Sequence, residues 1–599
     1  MKLFAHWRWL LTSLPILILA SLVGPLVAEG RPPEIRNLSL RGLQIGGATV
    51  ITLDGADLLP APRLFLADQI LDCAVDPQST ANRVILSVPI PETFAPGIVS
   101  LRLATAEGIS NGQFIGIDRF PQLPLTETIQ TLPAAVHGSV PGSGVSRTSF
   151  NGKSGDVYIF EVEARRLGSK LRPTLHIYDS RRIQIGWASP TNSLWGDCRV
   201  TVKLPRDDQY AVEIHDAQYA PPGASFFRLK IGNWHYADLA FPPSVPRGQD
   251  SSVILIGNVE AQRVPLNLKD AEATAVPWRT PQSAGLVPTV TGSSIPEVVR
   301  LADEAFLLLP AVPVAVSGQL LKPGQRDRYQ LPIQPGTKLL MEIFADRIGS
   351  RLDGVLEVRN KQNALIASND DGPNTTDPRL EITAPPDQDI LELTVRDQLE
   401  TGSEASIYRL VVTAIDHPIR QFDVTLKSDT INVPMGESQV VEAFANRQAF
   451  DDPIQILMAG LPTGLQVEGA EIPAGSNGTL ISIMNPLEST SAAVTRFKAQ
   501  STDGSIVRTV RIESSSDDRL PVWLRDQIAI STTPRQALFQ IAVTNEASPA
   551  VLTLASKPAY TLKLIRPHAT FGPIRLSLVT SQPVPKVNGQ PNLRNTAIN

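Results

Sequence analysis

The side chains best suited to chemistry in this sequence are the run Asn369-Asp370-Asp371-Gly372-Pro373-Asn374 and the nearby Asp377. Short acidic and amide side chains around a glycine turn supply hard oxygen ligands, so Asp370, Asp371 and Asp377 are the residues expected to hold Ca²⁺ if an ion binds. The spacing is not that of an EF-hand, and no bidentate glutamate follows. The competing reading is a solvated turn whose Asp and Asn side chains bond local backbone groups. His176 and His215 are the next pair of interest. They lie beside Leu175 and Ile214, which alternate toward a core. Both rings are therefore expected to point outward as a cross-strand surface pair rather than as metal ligands.

Catalytic patterns are missing. There is no GxSxG elbow, no HExxH and no Asp-Thr/Ser-Gly. Asn151-Gly152-Lys153-Ser154-Gly155 superficially resembles a phosphate loop. Arg147 stands where its first glycine would be, and the segment opens a strand, so it reads as a hairpin turn. Cys73 and Cys198 fall in different predicted domains and have no CxxC spacing, so no disulfide within one domain is expected. No catalytic residue and no cofactor beyond the Ca²⁺ above is expected, and the chain does not read as an enzyme.

A long internal echo positions these residues. Glu161-Val162-Glu163-Ala164-Arg165-Arg166-Leu167-Gly168-Ser169-Lys170-Leu171 returns 181 positions later as Glu342-Ile343-Phe344-Ala345-Asp346-Arg347-Ile348-Gly349-Ser350-Arg351-Leu352. The offset still holds at Asp216 and Asp397, and at Phe226-Phe227-Arg228-Leu229 and Ile407-Tyr408-Arg409-Leu410. One domain is therefore present twice. The shared Ala-x-Arg-x-Gly-Ser-x-Leu reads as framework: glycine for the turn, serine for backbone bonding, leucine for the core.

A chain of 599 residues suggests about four to six domains. With 51 prolines and 40 glycines between short Val/Ile/Leu/Thr runs, it reads as many short strands and turns. A net charge of −5 with no basic tract excludes nucleic acid as a partner. The basic residues are scattered, usually beside acidic ones, and read as a solvated surface.

Residues 1–28 have the build of a secretory signal peptide: Lys2 and Arg8, an apolar run from Trp9 to Leu22, and small residues near Ala28. The alternative is an uncleaved anchor, since the apolar run could just span a bilayer. No second apolar span follows, so no other membrane contact is expected. The protein is expected to be secreted, periplasmic or on the cell surface.

Strand and turn spacing divides the remainder into 34–118, 137–232, 238–310, 318–414, 420–515 and 520–599, the last a partial β-domain with a disordered tail. Gly46-x4-Ile51-x-Leu53-x-Gly55 resembles the start of IPT/TIG-type immunoglobulin-like domains and partly returns as Gly248-x4-Val253-x-Leu255-x-Gly257. The marks around Gly460-Leu461-Pro462 and Ile472-Pro473 resemble other bacterial immunoglobulin-like units. The two echoed blocks resemble the bacterial pre-peptidase C-terminal domain. That resemblance rests on Gly318, Asp327-Arg328-Tyr329, Gly336, the 345–353 run, Asn369-Asp370-Asp371, Asp377-Pro378-Arg379-Leu380 and Tyr408-Arg409-Leu410. The first copy departs from it by holding Ser189-Pro190-Thr191-Asn192 in place of the acidic loop. The resemblance implies a secreted accessory or binding module and does not imply protease activity.

The expected fold class is all-β: tandem immunoglobulin-like and jelly-roll-like sandwiches, beads on a string. The expected function is a non-catalytic binding, adhesion or scaffolding protein with an extracellular protein or carbohydrate as partner. The alternative is the accessory portion of a secreted peptidase system.

Overall fold

The computed structural model describes residues 31–536, apart from 220–224, 261, 269–272, 277, 279, 281, 302–304, 374, 487–489 and 514–521, and then 540–543, 561–565, 586–587 and 590–591. The expected signal segment 1–28 and most of the expected C-terminal tail lie outside the described residues. Among the described residues the secondary structure is β-strand with short 3₁₀ turns and no α-helix. No helix among them is long and apolar enough to cross a membrane. The fold is all-β, in tandem sandwiches.

Period-two alternation builds each sheet. Strand Ala48–Ala56 buries Ile51 and Leu53 and leaves Val50 exposed. It pairs antiparallel with Arg83–Pro89, so Leu53 faces Val84 and Ile51 faces Leu86. Opposite lies the sheet holding Gly97–Thr105 and Gln113–Asp118, which contributes Leu101, Leu103, Ile115 and Ile117 to the same core. The strand Asp250–Gly257 repeats the arrangement in a sandwich of two three-stranded sheets. Its glycines match those of the first unit in role. Gly46 and Gly248 take φ of 75° and 68° at the entering turn. At Gly55 and Gly257 a Cβ would lie 1.9 Å and 2.0 Å from the carbonyl oxygens of Glu34 and Tyr236. Each closing glycine therefore sits where the preceding strand bulges against it.

The echoed blocks fold alike, strand for strand. In the first copy one sheet runs Gln122–Pro124, Ala134–Ser139, Phe226–Gly232, Val157–Glu163, Cys198–Lys203. The second copy runs Glu297–Val299, Val314–Gln319, Ile407–Ala414, Lys338–Phe344, Arg379–Thr383 in the same order. The facing sheets also match: Thr128–Ile129, Val145–Gly152, Asp208–Asp216, Pro173–Tyr178, Gln184–Ala188 against Leu307–Leu308, Arg326–Pro332, Ile390–Asp397, Gly354–Arg359, Leu365–Asn369. Each copy has its own closed core, around Phe150, Phe160 and Tyr210 in one and Tyr329, Met341 and Leu393 in the other.

The fifth sandwich starts at Gln421–Leu426 and includes Ile528–Gln536, which pairs in parallel with Thr430–Met435. Its core holds Phe422, Ile454, Ile481, Phe497 and Ile528. The string of sandwiches folds back on itself. Phe65, Ala104 and Ile109 of the first unit pack on Val494 and Ala529 of the fifth. Ile109 N–H donates to Asn432 Oδ1 at 2.8 Å, and Asn432 Nδ2 donates back to the Ile109 carbonyl at 3.1 Å.

Candidate functional site

The motif Ala-x-Arg-x-Gly-Ser-x-Leu forms a 3₁₀ turn in both copies, Arg165–Leu167 and Asp346–Ile348. Gly168 and Gly349 end it with φ of 82° and 80°, the left-handed region that glycine enters without steric cost. Leu171 and Leu352 enter the cores. One buried carboxylate holds each turn. Asp377 Oδ1 accepts from the N–H groups of Ala345 at 2.9 Å and Asp346 at 2.7 Å, and its Oδ2 accepts from Arg347 Nε at 2.7 Å. Asp197 does the same for Ala164, Arg165 and Arg166 at 2.9, 2.7 and 2.7 Å. The two aspartates are not in strict 181 register, and that one-residue slip hid their equivalence in the sequence.

This placement bears on the predicted calcium ligands. Both oxygens of Asp377 are taken by N–H donors, and the residue is 1% exposed. Asp370 and Asp371 lie exposed on the loop. Burial and the charges of Asp371, Asp397, Asp370 and Asp346 raise the carboxyl of Asp353 beside them. Among the described residues, no three His, Cys, Asp or Glu side chains converge as a metal site.

The reading of scattered charges as solvated surface needs correction. The outer face of strand Val157–Glu163 carries Glu161 and Glu163, both buried, together with Arg166, Arg228 and Lys230. Arg228 bridges Glu163 at 2.6 Å and Asp118 of the first sandwich at 2.5 Å. Lys230 lies 2.9 Å from Glu163, and Arg166 lies 2.7 Å from Glu161. Arg199 pairs with Glu161 and with Asp238 of the third unit. Burial alone would raise the Glu163 carboxyl, but Lys230 and Arg228 outweigh it and hold it at about 2. These charges are buried because neighbouring sandwiches dock on that face, which strand alternation cannot show.

His176 and His215 stand on neighbouring strands with ring centroids 5.1 Å apart, as a cross-strand pair. His176 is half-buried. His215 is 7% exposed because the Tyr219 ring stacks on it at 4.3 Å. The second copy has Glu357 and Arg396 at these positions, ion-paired at 3.1 Å.

One recess between the sandwiches was not legible in the sequence. A cavity of about 700 Å³ lies where the two copies, the third unit and the fifth unit meet. The first copy contributes Asn192 and Trp195, the second Asp346 and Arg347, and the fifth unit Trp523 and Arg525. The indoles of Trp195 and Trp523 meet edge to face, 6.1 Å apart at 87°. Trp195 takes φ of 56°, a left-handed conformation costly for a bulky side chain. Asn192 Nδ2 donates to Asp346 across the mouth. The acidic residues of the lining are engaged as well: Asp238 by Arg199, Asp526 by Arg496 at 3.1 Å.

No family model and no curated protein matches this chain. Solved structures similar to it include the pre-peptidase C-terminal domain of a collagenase from Bacillus anthracis. That match has 11% identity over 19% of this chain and 100% of that one, with a TM-score of 0.16. The Bacteroides ovatus mixed-linkage glucan utilization protein SGBP-B, solved with a mixed-linkage heptasaccharide, matches at 10% identity. It covers 64% of this chain and 77% of that one, with a TM-score of 0.15. The S-layer protein rSbsC matches at 10% identity over 85% of this chain and 56% of that one, with a TM-score of 0.15.

Proposed function

We propose that this chain is a non-catalytic, exported protein of the bacterial surface or extracellular space, and that its cavity between sandwiches binds carbohydrate. The two echoed copies serve as pre-peptidase C-terminal-like modules that frame the site. One observation carries the reading: Trp195 and Trp523 line a cavity of about 700 Å³ together with Arg347, Arg511, Arg525 and Asn192. Indole faces cover the C–H faces of sugar rings, and guanidinium and amide groups bond ring hydroxyls. A cavity of this size holds a few sugar units. The lining carboxylates of Asp238, Asp346 and Asp526 each have a partner, which favours holding a ligand over acid–base chemistry on it.

Affinity electrophoresis and calorimetry of the full chain against neutral and acidic polysaccharides test this. At least one polysaccharide is expected to retard the native chain, and Trp523→Ala to abolish the retardation with an unchanged melting curve. Retardation that survives in both Trp523→Ala and Trp195→Ala, or none with any polysaccharide, overturns it.

A further inference from the structure

His176 lies on strand Pro173–Tyr178 and His215 on Asp208–Asp216, on the same face of one sheet. Their Nε2 atoms are 3.0 Å apart. The other ring nitrogen of each is already assigned. His215 Nδ1 lies 2.8 Å from the Asp216 carbonyl oxygen, which can only accept, so Nδ1 carries the proton. His176 Nδ1 lies 2.9 Å from Gln184 Oε1, also an acceptor. With Gln184 oriented this way, neutral rings bring two Nε2 lone pairs within 3.0 Å of each other, a repulsive contact that a cation bound to both relieves.

We infer that His176 and His215 bind a divalent transition metal of the copper, nickel or zinc class on the outer face of the first echoed copy. The tautomers are those of metal-bound imidazoles, whose second nitrogen donates to a carbonyl or carboxylate oxygen and thereby orients the ring. Two M–N bonds of about 2.0–2.1 Å across this gap subtend about 91–97°, an angle that suits cis positions of a tetragonal ion. The Tyr219 ring stacks on His215 at 4.3 Å, so its Oη, 3.3 Å from Nε2, lies off the imidazole plane and covers the pair on one side. Glu213, beside His176 across the strands, is held by Arg147 at 2.9 Å and Arg182 at 2.8 Å and takes no part. The second copy sharpens the contrast. It places Glu357 and Arg396 at the same two positions, where opposite charges satisfy each other at 3.1 Å. The first copy has replaced that ion pair with two nitrogen donors. This site stands apart from the cavity and does not depend on the carbohydrate reading.

The test is titration of the chelator-stripped full chain with Cu²⁺, followed by calorimetry and electron paramagnetic resonance. One equivalent is expected to bind, with hyperfine coupling to two nitrogens, and Ni²⁺ and Zn²⁺ are expected to bind more weakly. His176→Gln or His215→Gln weakens binding roughly tenfold or more. The double variant His176→Glu with His215→Arg rebuilds the ion pair of the second copy. It is expected to keep the native melting temperature and to lose the bound copper signal. No stoichiometric binding by the native chain, or the same binding in the double variant, overturns the inference and leaves the two rings sharing a proton.

Discussion

Arg102 Nη2 lies 2.6 Å from Asp429 Oδ2, joining two sandwiches through residues 327 positions apart. Its Nη1 donates to Thr430 Oγ1 at 2.7 Å and to the Ser110 carbonyl at 2.9 Å. Arg102 is 2% exposed, so losing its anionic partner leaves a buried guanidinium short of an acceptor. Asp429→Asn is expected to weaken this contact by about 1.5–3 kcal/mol. Small-angle scattering should show a larger radius of gyration, and calorimetry an earlier first transition. Superimposable scattering and melting curves would remove the contact as a brace.

Asp377 is a fastener for the turn at 346–348. Asp377→Ala leaves the backbone N–H groups of Ala345, Asp346 and Arg347, and Arg347 Nε, without their acceptor and is expected to cost at least about 2 kcal/mol. The loss should be the same with and without Ca²⁺. A native chain whose melting temperature drops on chelation, by as much as the variant's does, would mark the loop as a calcium site instead.

The buried charge cluster sets an acid response. Burial opposes ionisation of Glu163, but Lys230 and Arg228 hold its carboxyl at about 2, below the ordinary 4.5, and Glu161 is lowered as well. A carboxylate with a depressed folded pKa stabilises the fold above its unfolded value and loses that contribution as pH falls toward the folded one. Thermal melts should therefore fall between about pH 4.5 and about pH 2. Burial raises Asp197, which acts with the opposite sign, so the comparison with Glu163→Gln isolates Glu163. The variant should start lower at neutral pH and decline less. Parallel curves would show that Glu163 is not the ionised partner.

The two free thiols should differ in reactivity. Cys198 is fully buried, and burial raises its thiol far above the usual range. Cys73 is partly exposed, and burial followed by the Asp72 charge pushes it up to about 11. Iodoacetamide near neutral pH is expected to label Cys73 slowly and Cys198 only after unfolding. Prompt native-state labelling of Cys198 would contradict its position in the first copy's core.

Much of the architecture was legible locally. The alternation at Ile51 and Leu53, the turn glycines Gly168 and Gly349, and the paired positions of His176 and His215 all follow from strand and turn rules that act over a few residues. Distant partners were harder to see. Ile528–Gln536 closes a sheet by pairing in parallel with Thr430–Met435, and no turn signal links segments so far apart. Asp197 and Asp377 carry no mark of their own as caps, because the N–H groups they serve lie about thirty residues upstream.

The sequence by itself determined that this is an all-β chain, that one domain occurs twice, and which residues face each core, since a pleat of period two and a repeat at fixed offset are properties of neighbouring residues. Tertiary structure alone decided that Glu161, Glu163, Arg228 and Lys230 are buried, that Trp195 meets Trp523, and that the first sandwich reaches the fifth. Alternation says which side chains leave the core; whether they then meet water or another domain depends on how whole sandwiches dock.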